Sequence, residues 1–284
     1  MRCLVAGCGY VGSALAARLV ARGHEAFGLR RRPAGLPAGV VPVAADLADG
    51  PGLAARLPGD LDAVVYAAAA DARDEAAYRR AYVEGLANLL AALRARSASA
   101  RVLFTSSTAV YGQDDGSFVD ECSPAQPVGW NGQTMLDAES RLADSGRPFA
   151  ILRLGGIYGP GRTRLIERVR AGAERLPSGP VYTNHIHRDD AAGALEHLLA
   201  LARLEPAYVG VDDEPADLRA VLLWLAERLD APAPPASPAG AGPAAATGKR
   251  CRNRRLRASG WVPRYPTFRE GYGALLEEGR AARA

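Results

Sequence analysis

Gly7, Gly9 and Gly12 stand in the pattern Gly-x-Gly-x-x-Gly, within the run Gly7-Cys8-Gly9-Tyr10-Val11-Gly12. Glycines at this spacing suit the holding of a phosphate on main-chain N–H groups. Gly7 permits a tight turn, Gly9 lets the backbone approach a pyrophosphate, and Gly12 lets a helix pack closely on a strand. The apolar run Cys3 to Ala6 precedes the motif and a helical pattern follows it. A pyrophosphate there would meet the unpaired N–H groups and partial positive charge of a helix N-terminus. At the end of the next strand, an acidic residue would bind the adenosine ribose, whereas an arginine accommodates a 2′-phosphate. The chain reads Gly28-Leu29-Arg30-Arg31-Arg32 at that place, with no carboxylate. The expected cofactor is therefore NADP, with NAD as second choice, and Arg30 and Arg31 are the expected phosphate contacts. A solvated run of charge is the other reading of these arginines. Cys8, Tyr10 and Val11 complete the loop, Asp46 and Leu47 are expected beside the adenine, and Ala67 and Ala68 flank the phosphates without crowding them.

The elements that must position these residues alternate from the start of the chain. Strand patterns cover Cys3 to Ala6, Ala26 to Leu29, Val40 to Ala44, Asp62 to Ala68, Arg101 to Thr105 and Phe149 to Leu154. Helical patterns lie between them: Ser13 to Arg22, then Glu75 to Ala95, where Tyr78, Tyr82, Leu86, Leu89, Leu90 and Leu93 recur at helical spacing. Buried strands separated by amphipathic helices imply a parallel sheet covered on both faces. The expected fold is α/β, a Rossmann doubly wound parallel sheet over residues 1–160, with a smaller, partly interleaved C-terminal substrate portion over 161–284. In that portion helices are expected near 165–175, 189–204, 217–229 and 268–280, and strands at 181–186 and 207–211. The segment Ala231 to Gly248 is almost wholly Ala, Pro, Gly and Ser and reads as a flexible connection.

Composition narrows the function classes. Aromatic residues are 6% of the chain and basic residues form no stripe interleaved with them, which argues against a nucleic-acid partner. No run reaches the roughly 18 apolar residues of a membrane span, and Met1-Arg2 leads straight into a strand rather than a signal peptide. Cys3, Cys8, Cys122 and Cys251 show neither CxxC nor metal-ligand spacing, so no metal and a reduced, cytoplasmic setting are expected.

Three further stretches carry a resemblance: Thr105-Ser106-Ser107-Thr108-Ala109-Val110-Tyr111-Gly112, Leu152 to Gly161 with Gly156-Ile157-Tyr158-Gly159-Pro160-Gly161, and Ile186-His187-Arg188-Asp189-Asp190. Together with the glycine motif they resemble the extended short-chain dehydrogenase/reductases, the group of NAD-dependent epimerases and dehydratases. The later stretch from Tyr208 to Pro215, and the tail with Gly260-Trp261 and Tyr265-Pro266-Thr267, is similar to an atypical YeeZ-like bacterial branch. The resemblance implies that Ser107 orients a substrate carbonyl or hydroxyl, and that a Tyr and a Lys four residues later perform acid–base chemistry. Those positions hold Asn131 and Met135, or Trp130 and Thr134 if slipped by one, and the chain's single lysine is Lys249. The usual YxxxK machinery is absent. Tyr158 is then the first candidate to supply a proton, with His187, Tyr111 and a water held by Ser107 and Asn131 as others. Packing is the plainer reading of Tyr158 and His187. The dehydratase subgroup has Asp-Glu after its Ser/Thr, where this chain has Thr108-Ala109. The expected function is an NAD(P)-dependent, preferentially NADP-dependent, oxidoreductase acting on a small molecule. The alternative is a catalytically silent NADP-binding sensor or scaffold. Arg162 and Arg164 either meet an anionic substrate or are exposed helix arginines. The helices Glu75 to Ala95 and Thr134 to Ser145 are where the family often forms a homodimer.

Overall fold

The computed structural model describes residues 1–96, 99–238 and 245–281. β1 (Arg2–Ala6), buried from Cys3 onward, turns through the glycine loop into α1 (Tyr10–Ala21). The helix starts three residues before the expected Ser13, because the motif itself supplies its first turn. β2 (Glu25–Arg30) and β3 (Val41–Ala44) follow, then α2 (Gly50–Arg56), a short helix with no clear periodicity to announce it. β4 (Ala63–Tyr66) is buried at every residue.

The long helical pattern after β4 is not one α-helix. It comprises α3 (Glu75–Tyr78), a π-helical turn over Arg79–Glu84, and α4 (Gly85–Arg96). The Asp74 carboxylate accepts the Ala77 N–H at 2.8 Å and starts α3. The π-turn has a local cause. The Tyr66 hydroxyl reaches up from β4 and donates to the Ala81 carbonyl, and a Cβ on Gly85 would lie 2.5 Å from that hydroxyl. The ladder widens where another residue's oxygen enters it.

β5 (Arg101–Ser107), β6 (Phe118–Val119), α5 (Trp130–Ala143), β7 (Phe149–Leu154), β8 (Gly156–Tyr158) and α6 (Arg164–Arg170) come next. The strand expected over 181–186 divides into β9 (Tyr182–Thr183) and β10 (His185–His187). The chain changes partner at Asn184: β9 pairs antiparallel with β12 (Ala216–Asp217) and β10 parallel with β8. α7 (Arg188–Ala200) and β11 (Ala207–Gly210) precede β12, and α8 (Leu218–Arg228), β13 (Arg250–Cys251), α9 (Arg254–Ala258) and α10 (Phe268–Ala281) complete the chain.

Seven strands form one sheet in the order β11-β7-β5-β4-β1-β2-β3. β1 runs parallel to β2 and β4, and β5 runs parallel to β4 and β7. This is the Rossmann arrangement, and its order reverses beside β1, where such sheets hold ligand at the carboxyl ends of their strands. Ala6 pairs with both Leu29 and Tyr66, so the residues following β1, β2 and β4 emerge at one edge.

The chain divides into two compact units, each built from three segments. The first comprises Met1–Gly112, Pro124–Leu154 and Ala191–Tyr208; the second comprises Gln113–Ser123, Gly155–Asp190 and Val209–Ala284. Within the second, α8 and α10 bury Val221, Leu222, Leu225, Phe268 and Tyr272 in a shared apolar cluster. Residues 239–244 of the Ala/Pro-rich stretch lie outside the described residues. On its flanks Leu176 N donates to Pro235 O and Thr247 N donates to Pro180 O, each at 2.9 Å.

Candidate functional site

The glycine loop has little room for side chains. Gly7 has φ +86°, and a Cβ there would lie 2.3 Å from Ala68 Cα; one on Gly12 would lie 2.6 Å from Gly7 O. Gly7 and Cys8 both donate their N–H to Leu29 O at 3.0 Å, and Gly9 donates to Gly7 O at 2.7 Å. These three residues therefore shape the loop, with their N–H groups turned onto the protein. No side chain caps α1 behind Gly9, which leaves its first turn, with Tyr10, Val11 and Gly12, to meet an anion. The Cys8 side chain is fully buried, and burial pushes its thiol pKa up. A Cβ on Gly28 would lie 3.1 Å from its sulfur, so the side chain packs behind the loop. A backbone cradle that a Cβ would fill, ending at a helix without a side-chain cap, fits the pyrophosphate of a nicotinamide dinucleotide.

The other expected contacts gather in this first unit. Ala67 N donates to Ala6 O at 2.7 Å and ties the Ala67-Ala68 segment to the end of β1. Arg30 ends β2 half-buried. Arg31 is exposed and forks onto Asp71, at 2.9 Å and 2.7 Å; this hydrogen bonding raises the pKa of Arg31 and lowers that of Asp71. Asp46 accepts the Ala48 N–H at 2.9 Å, and Leu47 O accepts from the Asn88 side chain at 2.9 Å. The Asp71 partner was not legible in advance, because it lies forty residues from Arg31 in the sequence.

Ser107 ends β5, and its hydroxyl oxygen accepts the Ala109 N–H at 3.1 Å. α5 packs against this turn so closely that a Cβ on Gly132 would lie 2.2 Å from Ala109 O. The helix expected to carry the acid–base pair thus lies against Ser107's turn, but its side chains are of another kind. Asn131 is exposed and Met135 is buried. In the slipped register, Trp130 stands edge-on to Tyr78 and the Thr134 hydroxyl donates to Trp130 O at 2.9 Å. None of the four titrates near neutral pH.

Beneath the turn lies a buried ionic network that sequence reasoning missed. Arg153 forks onto Glu139 at 3.1 Å and 2.7 Å and donates to the Tyr111 hydroxyl at 2.8 Å. Ser106 donates to Glu139 at 2.6 Å. The signal was an arginine inside the apolar strand Ala150-Ile151-Leu152-Arg153-Leu154, with a glutamate on the buried face of α5. Tyr111 is therefore engaged with an arginine.

Tyr158, in the second unit, sits among rings. Its centroid is 4.5 Å from Tyr272, 5.4 Å from His187 and 6.0 Å from His185. Its hydroxyl is packed against Gly271, where a Cβ would lie 1.8 Å from the oxygen. That oxygen, His185 Nδ1 and Asp212 Oδ2 are buried without a hydrogen-bond partner. Burial, reinforced by the nearby Asp212, pushes the Tyr158 pKa up, so this hydroxyl is a weak acid. Burial also holds His185 and His187 neutral, with pKa values down to about 4.

Asp212 is the energetic weak point of this cluster, because burial drives its pKa from 3.8 up to about 8. The folded state holds its proton more tightly than the unfolded chain, so this contribution to stability is greatest below pH 4 and declines towards pH 8. The two histidines act in the opposite sense, but only below their ordinary pKa of 6.5. Between pH 6.5 and 8 the Asp212 contribution is left alone. Asp212→Asn is expected to raise the urea midpoint at pH 8 and to flatten its decline from pH 6.5; an unchanged slope would rule out Asp212 as its source.

Residues 3–207 match the family described as NAD dependent epimerase/dehydratase. The 3-diazoavenalumate denitrifying reductase of a Streptomyces species is 33% identical over 309 aligned residues, covering 96% of this chain and 99% of that protein. Protein YeeZ of Escherichia coli K12 is 40% identical over 100 residues, 35% of each chain, in keeping with the expected YeeZ-like branch. The UDP-glucose 4-epimerase of Thermus thermophilus, solved in complex with NAD, superposes with a TM-score of 0.77 at 28% identity, covering 95% of this chain and 96% of that one. No described helix is long and apolar enough to cross a membrane. The glycine cradle, the strand order and a family match over most of the length agree: the chain belongs to the NAD-dependent epimerase/dehydratase family.

Proposed function

We propose that the protein is an NADPH-dependent reductase of a small molecule whose reduction requires no proton from the protein. The observation that carries this reading is the composition of α5 beside Ser107. A helix in the position to supply a tyrosine and a lysine offers Asn131 and Met135. When bound, the dinucleotide supplies a hydride, and an acceptor that is already cationic takes it without a proton: an aryl diazonium plus hydride gives the arene and N2, whereas a ketone also needs H⁺. The Streptomyces relative supports this class, since its name describes a reductase removing nitrogen from a diazo compound. Ser107 orients the acceptor, with its oxygen held by Ala109 N–H and its own proton available to donate. Tyr158 does not serve as the acid, given its buried hydroxyl and raised pKa.

NADPH is preferred because the end of β2 carries Arg30 and Arg31 and no carboxylate. Asp71 competes with the 2′-phosphate for Arg31, so this preference is tempered by an internal anion.

The test uses purified protein, NADPH, 4-carboxybenzenediazonium and a panel of ketones. Oxidation of NADPH by the diazonium above the rate without protein, with N2 released and a flat rate from pH 6 to 8, is the expected result. Preference for a ketone, with one proton taken up per turnover, would overturn the acceptor class. Tight NADPH binding without oxidation by any acceptor would favour the silent sensor. Arg31→Ala is expected to weaken NADPH about tenfold, the scale of one lost charge-assisted hydrogen bond, and to leave NADH unchanged. Asp71→Asn is expected to tighten NADPH. Equal losses for both cofactors in Arg31→Ala would remove the 2′-phosphate contact.

A further inference from the structure

The second unit contains a pocket of about 530 Å³ that no step of the proposed reduction uses. Its lining includes a buried aromatic group: Tyr158 and Tyr272 lie 4.5 Å apart at 32° between planes, with His185 edge-on to both. Ile157 and Leu165 add apolar lining. His185 adds no charge there, since burial keeps it neutral at physiological pH.

Arg162 and Arg164 also line the pocket, and both are exposed. Among the described residues Glu167 is the only carboxylate lining the pocket, and it already accepts the Thr163 hydroxyl at 2.6 Å. Arg162 reaches the Ile157 carbonyl at 3.4 Å. Arg164 enters no ion pair among the described residues, although carboxylates such as Glu174 and Glu214 are paired with Arg168 and Arg269 in the same unit. Two guanidiniums against one engaged carboxylate leave a net positive rim beside an aromatic wall.

We propose that this pocket binds a flat aromatic carboxylate, its ring against Tyr158 and Tyr272 and its carboxylate on Arg164. A guanidinium matches a carboxylate in a two-bond fork, and an aromatic ring gains by offset or edge contact with tyrosine faces. A volume of this size is within the range of small-molecule sites. A neutral sugar would leave the two guanidiniums of the rim without a counter-charge. The inference does not depend on the reductase reading: the pocket lies wholly within one unit, and binding there can be measured without cofactor.

The experiment is calorimetric titration of the full chain with trans-cinnamate, cinnamyl alcohol and UDP-glucose, in the absence of NADPH. Cinnamate is expected to bind, with cinnamyl alcohol about tenfold weaker or more, the scale of a lost charge-assisted pair. Arg164→Gln, an exposed change that leaves the apolar cluster intact, is expected to remove that difference by weakening cinnamate alone. Arg164→Lys should restore part of it. Binding of UDP-glucose but not cinnamate would overturn the proposal, as would equal cinnamate affinity in Arg164→Gln and the parent. A parallel NADPH titration separates the two readings: cofactor binding without cinnamate binding sinks this inference alone.

Discussion

Gly7→Ala is expected to abolish NADPH binding and to lower the urea unfolding midpoint well beyond the effect of an ordinary glycine replacement. Two penalties coincide at this position. The left-handed φ of +86° strains any L side chain, by about 1–3 kcal/mol. The added Cβ would also lie 2.3 Å from the Ala68 backbone, which cannot rotate away as a side chain can. The loop after β4 must then move from the end of β1, and with it the cradle that faces the pyrophosphate. Gly23 supplies the control. It too has a positive φ, +77°, but a Cβ there would meet nothing within 4 Å. Gly23→Ala should therefore show the conformational penalty alone and bind NADPH as the parent does. If the two variants unfold at the same urea concentration, the close approach of Ala68 carries no weight.

Glu139→Ala should have the second large effect, a loss of about 3–5 kcal/mol of stability, the usual result of removing one member of a buried ion pair. Arg153 would lose both bonds of its fork and remain nearly enclosed, while Ser106 would lose its acceptor. The double variant Glu139→Leu with Arg153→Met removes the stranded charge and is expected to recover much of that loss. Urea denaturation of Glu139→Leu, Arg153→Met and the double variant, read as a coupling energy, checks this. Simple addition of the two single losses would show that the pair does not act as a unit.

The fold was legible because its strands are nearly continuous apolar runs and its helices keep one apolar face. β1, β4, β5 and β7 lie where the sequence places them, within a residue or two. The glycine cradle was legible for a different reason: its spacing is dictated by backbone clearance that few other residue types satisfy. Features that depend on partners distant in the chain were not legible. Asp71 at Arg31, Glu139 at Arg153 and the change of pairing at Asn184 all arise from tertiary closure. The π-turn was hidden because a wider helix keeps much the same apolar spacing, and only the Tyr66 hydroxyl beneath it reveals why the ladder opens. At Tyr158 the sequence offered two readings, a candidate proton donor and, more plainly, a packed ring; its burial against Gly271 accords with packing.

Both units are assembled from separated stretches, and this bears on how the chain can be cut or synthesised. The first is not complete until Tyr208 has been made. A nascent or truncated chain ending at Pro160 holds the entire glycine loop, yet lacks α7 and β11. The outer edge of β7, where Ile151 donates its N–H to Pro206 O at 3.0 Å, would then be an open strand edge, the kind of surface on which chains pair with one another. Synthesis must therefore pass Tyr208 before this sheet has a finished border, and a fragment trimmed to the motif alone would carry that border unprotected.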